Sequence, residues 1–177
     1  MAIEYGDGSD SNSGRIIQVV SVVDTDVYSY ASSSWQTYTS AQITPTASDS
    51  KILIMHKVNY GGSNNSYAAG QCYKAAVGIT NGPISTGAPM YWTETNRFSD
   101  SNYAIQVPDG AGASYRQFQS HFFFLDTAST TNQVTYSFRL KADASNRTVT
   151  INRSVSYPGN GYNARPCTTT TLMEIAA

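Results

Sequence analysis

Val134-Thr135-Tyr136-Ser137-Phe138-Arg139-Leu140-Lys141 alternates without a break, apolar at every even position and polar or charged between. A period of two turns one face toward a core and the other toward solvent, which is the pattern of a half-buried antiparallel strand. Outward from this stretch, short apolar or alternating runs recur at residues 15–23, 35–43, 51–60, 71–79, 115–125, 147–155 and 168–175. Clusters of Gly, Pro, Asn and Ser separate them, and helical periodicity is almost missing. The second run stops at Thr44-Pro45 and the fourth at Asn81-Gly82-Pro83, where a residue that tolerates positive φ meets one with φ fixed. In the run 147–155, Val149, Ile151 and Arg153 share one face, with Thr148, Thr150 and Asn152 opposite. About eight strands at this spacing predict an all-β antiparallel jelly-roll sandwich.

Two runs break the alternation. Ile16-Ile17, Val19-Val20, Val22-Val23 and Ile52-Leu53-Ile54-Met55 are apolar on both faces. A sandwich strand needs only one apolar face, and a chain without helices has little to lay over the second. Another copy of the chain is the economical cover, because apolar patches of this size are uncommon on monomers. A homo-oligomer is therefore expected, with Ile17, Val19, Leu53, Met55, Met173 and Ile175 as candidate interface residues. Local loops folded over these faces are the alternative.

Composition narrows the function classes. Of 177 residues 13% are charged, and the net charge is −1. That balance offers no basic field for nucleic acid. Ser, Thr and Asn supply about a third of the chain, yet 13 Tyr, 6 Phe and 2 Trp set it apart from disordered sequences. No apolar stretch approaches the ~20 residues of a membrane span, so no membrane insertion is expected. The first 13 residues lack the apolar segment of a secretory signal. Cys72 and Cys167 form no metal-type spacing. One disulfide or two buried thiols would fit them, and the missing signal favours the thiols.

Several stretches together resemble a widespread family of small phage virion proteins. They are Gly14-Arg15-Ile16-Ile17-Gln18-Val19-Val20-Ser21, Ile43-Thr44-Pro45, Ser50-Lys51-Ile52-Leu53-Ile54, Phe124-Leu125-Asp126-Thr127-Ala128, Val149-Thr150-Ile151-Asn152-Arg153-Ser154 and Leu172-Met173-Glu174-Ile175. The family comprises tail-fibre-like and head-associated proteins. The resemblance implies a trimeric jelly roll similar to the heads of C1q and tumour necrosis factor, with the two-faced strands along a threefold axis. It also implies a virion location, with residues 1–14 as a short polar arm to a baseplate, fibre or capsid partner and residues 15–177 as the domain. So short an arm leaves a long fibre shaft to other chains.

Chemistry-bearing residues are sparse. His56 falls on the face of Ile52, Ile54 and Val58, the place of a satisfied core histidine, and His121 also lies within a strand pattern. No G-x-S-x-G elbow occurs, and Glu94, Asp100 and Asp109 are the only candidates for a facing carboxylate pair. The chain is read as not an enzyme. Asp7, Ser9, Asp10, Ser11 and Asn12 offer oxygen donors without an acidic closing ligand, so no metal or cofactor is expected. The sequons at Asn64, Asn146 and Asn152 are read as chance.

Adhesion has more to draw on. Residues 80–114 form a long connection holding Tyr91, Trp92, Arg97, Phe98 and Tyr103 among Asn, Thr, Ser and Asp. Long loops in compact domains are commonly functional, and aromatic faces with amides suit both sugar rings and protein epitopes. The loops 61–70 and 158–166 add Tyr67, Tyr162 and Arg165. Tyr91, Trp92, Arg97, Phe98, Tyr103 and Tyr162 are thus candidate contacts for a host surface glycan or protein. The alternative is that Trp92 and Phe98 fold back over the sandwich end or against a neighbouring subunit. The expected function is a tail fibre or fibre tip that adheres to the host surface; the alternative is a capsid decoration or head-fibre protein.

Overall fold

A computed structural model describes residues 14–63, 66–84, 103–107, 115–142, 147–156 and 165–177. Among the described residues, eleven strand segments make two sheets, every pairing antiparallel. The first sheet holds β1 (Ile16–Asp24), β2 (Tyr28–Tyr30), β4 (Lys51–Gly62), β8 (Phe118–Thr127), β10 (Val149–Ile151) and β11 (Thr168–Ile175). The second holds β3 (Gln36–Ile43), β5 (Tyr67–Ala76), β6 (Gly82–Pro83), β7 (Tyr103–Gln106) and β9 (Val134–Ala142). No α-helix occurs among the described residues.

The eleven segments reduce to eight rows. β10 and β11 lie end to end along β4, pairing with Tyr60–Gly62 and with Lys51–Lys57, and carry β2 and β1 respectively on their far side. β6 and β7 likewise share one side of β5. In chain order the first sheet then reads first, eighth, third, sixth, and the second sheet second, seventh, fourth, fifth. First pairs with eighth, second with seventh, third with sixth and fourth with fifth, the pairs alternating between sheets. That is a long antiparallel ribbon wrapped over itself, the double Greek key of a jelly roll, as the sequence predicts.

Several boundaries move. β4 runs on to Gly62 and β5 begins at Tyr67, so most of the expected loop 61–70 is strand. β6 and β7 lie inside the expected connection 80–114. The run 147–155 keeps only three residues of strand, because Asn152 turns the chain at φ 57°. Its side-chain Nδ2 donates to the backbone carbonyls of Asp24 and Asp26, both at 2.9 Å, and the Thr168 hydroxyl donates to its Oδ1 at 2.9 Å. One asparagine thus pins the β1–β2 corner to the step from β10 to β11. Asn is among the few side chains that tolerate this backbone region.

Between the sheets lies a core of Ile52, Ile54, Val58, Tyr38, Phe122, Phe124, Val134, Tyr136, Phe138, Leu140 and Leu172, among others. Tyr103 sits at its centre, 1% exposed, with its ring over Gly70, its partner in register. A Cβ at Gly70 would meet that ring at 2.0 Å, so only glycine leaves the space. Lys74 of the second sheet bridges to Asp126 of the first at 2.8 Å, and the Tyr136 hydroxyl donates to the same carboxylate oxygen at 2.8 Å. Cys72 is buried and Cys167 half-buried, and no disulfide joins them; burial pushes the Cys72 thiol well up.

Candidate functional site

The alternation of strands sends Ile52, Ile54, His56 and Val58 of β4 inward, and therefore Leu53, Met55 and Lys57 outward. Cross-strand register then aligns the outward side chains of β1, β11, β4 and β8 in rows. One row is Val19, Met173, Leu53 and Leu125; the next is Ser21, Thr171, Met55 and Phe123. Val23, Thr169, Lys57 and His121 close one end, and at the other Ile175 stands beside Lys51 and Thr127, with Ile17 at the β1 bulge. All six interface residues expected from the sequence fall on this one face.

The face is open to solvent among the described residues. Val19 is 54% exposed, Val23 59%, Phe123 56% and Leu125 48%, while Leu53, Met55, Met173 and Ile175 are half-buried by one another. Complete burial of such side chains is worth roughly 1.5–3 kcal/mol each, so covering those that stand half out of the sheet is worth about 1 kcal/mol apiece. Phe123 and Leu125 were missed in the sequence, although Phe122-Phe123-Phe124-Leu125 is apolar on both faces just as Ile52–Met55 is. Charge is confined to the ends of the face, with Lys51 donating to Thr127 at 2.8 Å and Lys57 opposite His121.

Beneath this face, the stretches that carry the family resemblance converge. Glu174, fully buried, accepts from Gln18 at 2.6 Å and from the backbone amide and hydroxyl of Thr46, both at 2.7 Å. Gln18 also donates to the Thr44 carbonyl at 2.7 Å, and Ala128 donates its amide to Ser50. Burial alone would raise the Glu174 pKa, but hydrogen bonds led by that from Gln18 outweigh it and bring the group to about 2. These polar residues hold strand ends together; five of the six stretches build the first sheet, and Ile43-Thr44-Pro45 closes β3 of the second against it.

His56 is the satisfied core histidine its strand face predicts. Its ring stacks on Phe138 with centroids 3.6 Å apart. Tyr103 donates its hydroxyl to the Arg139 carbonyl, which can only accept, and this fixes the direction of the whole chain of bonds. Tyr38 therefore donates to Tyr103 at 2.9 Å, His56 Nε2–H donates to Tyr38 at 2.7 Å, and Thr170 donates to His56 Nδ1 at 2.9 Å. Desolvation lowers the His56 pKa from 6.5 to about 3.

Among the adhesion candidates, Tyr91, Trp92, Arg97, Phe98 and Tyr162 lie outside the described residues, as do Glu94, Asp100, Asp109 and the donors between Asp7 and Asn12. Tyr103 is corrected: its ring is core and its hydroxyl is engaged internally, so it presents nothing to a receptor. Tyr67 is half-buried in β5, with Arg147 over its ring and Gln106 donating to its hydroxyl. Among the described residues no three His, Cys, Asp or Glu side chains come together.

The fold and this face define a jelly-roll domain with one apolar sheet surface left to be covered. No family model and no curated protein matches the chain. Among solved structures, one of infectious bursal disease virus, Gx strain, is 15% identical over 93% of this chain and 38% of its own, with a TM-score of 0.42. A structure of the Gt strain is 12% identical over 100% of this chain and 43% of its own, with a TM-score of 0.40. The VP2 subviral particle of the same virus is 14% identical, with 100% and 42% covered and a TM-score of 0.27. The chain spans about two-fifths of the length of each. Likeness this distant leaves the function to be argued from the residues themselves.

Proposed function

We propose that this chain is a structural protein of a phage particle, a homotrimer of jelly rolls joined through the outward face of β1, β11, β4 and β8. It acts as a tail fibre or fibre tip that holds the particle to the host surface. The observation that carries the reading is that face: one row of apolar side chains across all four strands, Val19, Met173, Leu53 and Leu125, with Met55 and Phe123 beside it and charge, among the described residues, only at the ends. The stretches that resemble phage virion proteins supply the second support, because most of them form this same sheet. Adhesion would be multivalent, with several weak sites per particle acting at high effective concentration. Residues 1–14 would dock to a baseplate, fibre or capsid partner, and the aromatic stretch from Tyr91 to Phe98 would meet a surface glycan or protein.

The test is cryo-electron microscopy of the phage particle labelled with an antibody against this chain. Label at the distal tail or baseplate is the expected result. Label spread over the capsid would replace adhesion with decoration of the shell. Particles without label would refute the virion role.

A further inference from the structure

The end of the apolar face nearest the β2 corner carries the row Val23, Thr169, Lys57 and His121. Lys57 and His121 are directly opposed on adjacent strands, where side chains stand about 5 Å apart and like charges destabilise. His121 Nε2 lies 3.1 Å from Gln119 Oε1, a neutral partner on its own strand. Beyond Lys57 the row continues with Thr169 and Val23, which bring no charge. Toward the centre Met55, Phe123, Thr169 and Thr171 border a shallow depression beside the two basic groups. Asp24, Asp126 and Glu174, the carboxylates of these four strands, all occupy inward-facing positions. A second copy laid on this face therefore brings basic and apolar groups from the same strands, and no carboxylate from them.

We propose that self-association through this face is acid-labile, because it brings His121, directly opposite Lys57, under a neighbouring copy. The proposal rests on the trimer reading above. A neutral imidazole opposite one ammonium can be covered by a neighbour. A protonated one puts two unpaired positive charges into a surface being stripped of water. Imidazole is the side chain whose ordinary titration falls between pH 5 and 8. Any imidazole that must shed a proton to be covered lowers an association constant by up to about tenfold per pH unit on the acid side.

Sedimentation velocity on the full chain and on His121→Gln, at pH 7.5 and pH 5.5, tests this, with circular dichroism verifying that both stay folded. The expected result is assembled wild type at pH 7.5, dissociation at pH 5.5, and a His121→Gln protein that stays assembled at both. Wild type assembled at both pH values, or His121→Gln dissociating as wild type does, would overturn this proposal and leave the trimer reading standing. A wild-type monomer at pH 7.5 would overturn both.

Discussion

Acid should weaken this fold through one buried imidazole, by an amount the structure sets. His56 stays neutral in the folded chain down to about pH 3 but takes a proton near 6.5 once unfolded. The unfolded state therefore binds the extra proton, and stability falls as pH drops through that window. Above 6.5 the contribution is complete. At 1.36 kcal/mol per unit, the loss is about 1.4 kcal/mol at pH 5.5 and about 2.7 kcal/mol at pH 4.5. The proton would have to enter at Nδ1, which already accepts from Thr170 in a chain whose direction the Arg139 carbonyl fixes. Urea unfolding at matched protein concentration measures the loss for wild type and for His56→Gln, which keeps a donor and an acceptor at this position. The variant is less stable throughout, because it loses the stack on Phe138, but between pH 7 and 5 it should lose about 2 kcal/mol less than wild type does. An equal slope in both proteins would refute the argument. Should the variant not fold, an NMR titration of wild type decides the point: a His56 imidazole that protonates above pH 5 contradicts it.

Other perturbations probe the remaining parts. Glu174→Gln removes charge from a carboxylate that takes three donors and sets its new amide against them, which should cost about 1.5–3 kcal/mol in urea unfolding. Wild type should also lose the Glu174 contribution as pH falls from 4.5 toward 2, since its carboxyl is held down in the folded state. Gly70→Ala drives a methyl into the Tyr103 ring and should destabilise by about 1–3 kcal/mol or prevent folding, read from the thermal midpoint. Phe123→Asp with Leu125→Asp should leave the circular dichroism spectrum unchanged while producing monomers, because both side chains point away from the core. Trp92→Ala should abolish attachment to host cells with assembly retained; full attachment would remove that residue from the adhesive surface.

What the sequence reveals follows from how local each signal is. A period of two needs only neighbouring residues, so the strands, the sandwich and the double-faced runs are legible. Ile17, Val19, Leu53, Met55, Met173 and Ile175 come together because the two strands read as apolar on both faces, β1 and β4, flank β11, which carries Met173 and Ile175. The same signal lay in Phe122–Leu125 and would have added Phe123 and Leu125. Tyr103 was not legible: Tyr103-Ala104-Ile105-Gln106 is a brief alternation inside a long polar stretch, and its place depends on a space above Gly70, more than thirty residues away. β2 is three residues long, too short for any period to show. That β10 and β11 share one side of β4 is a matter of non-local register, which no run of residues records.

The most direct test of the assembly is sedimentation velocity of the full chain at micromolar concentration and pH 7.5, with the Phe123→Asp, Leu125→Asp protein beside it. The account predicts a wild-type species of three 19.1 kDa chains and a monomeric variant. A wild-type monomer, or a trimer that the two substitutions leave intact, would contradict it.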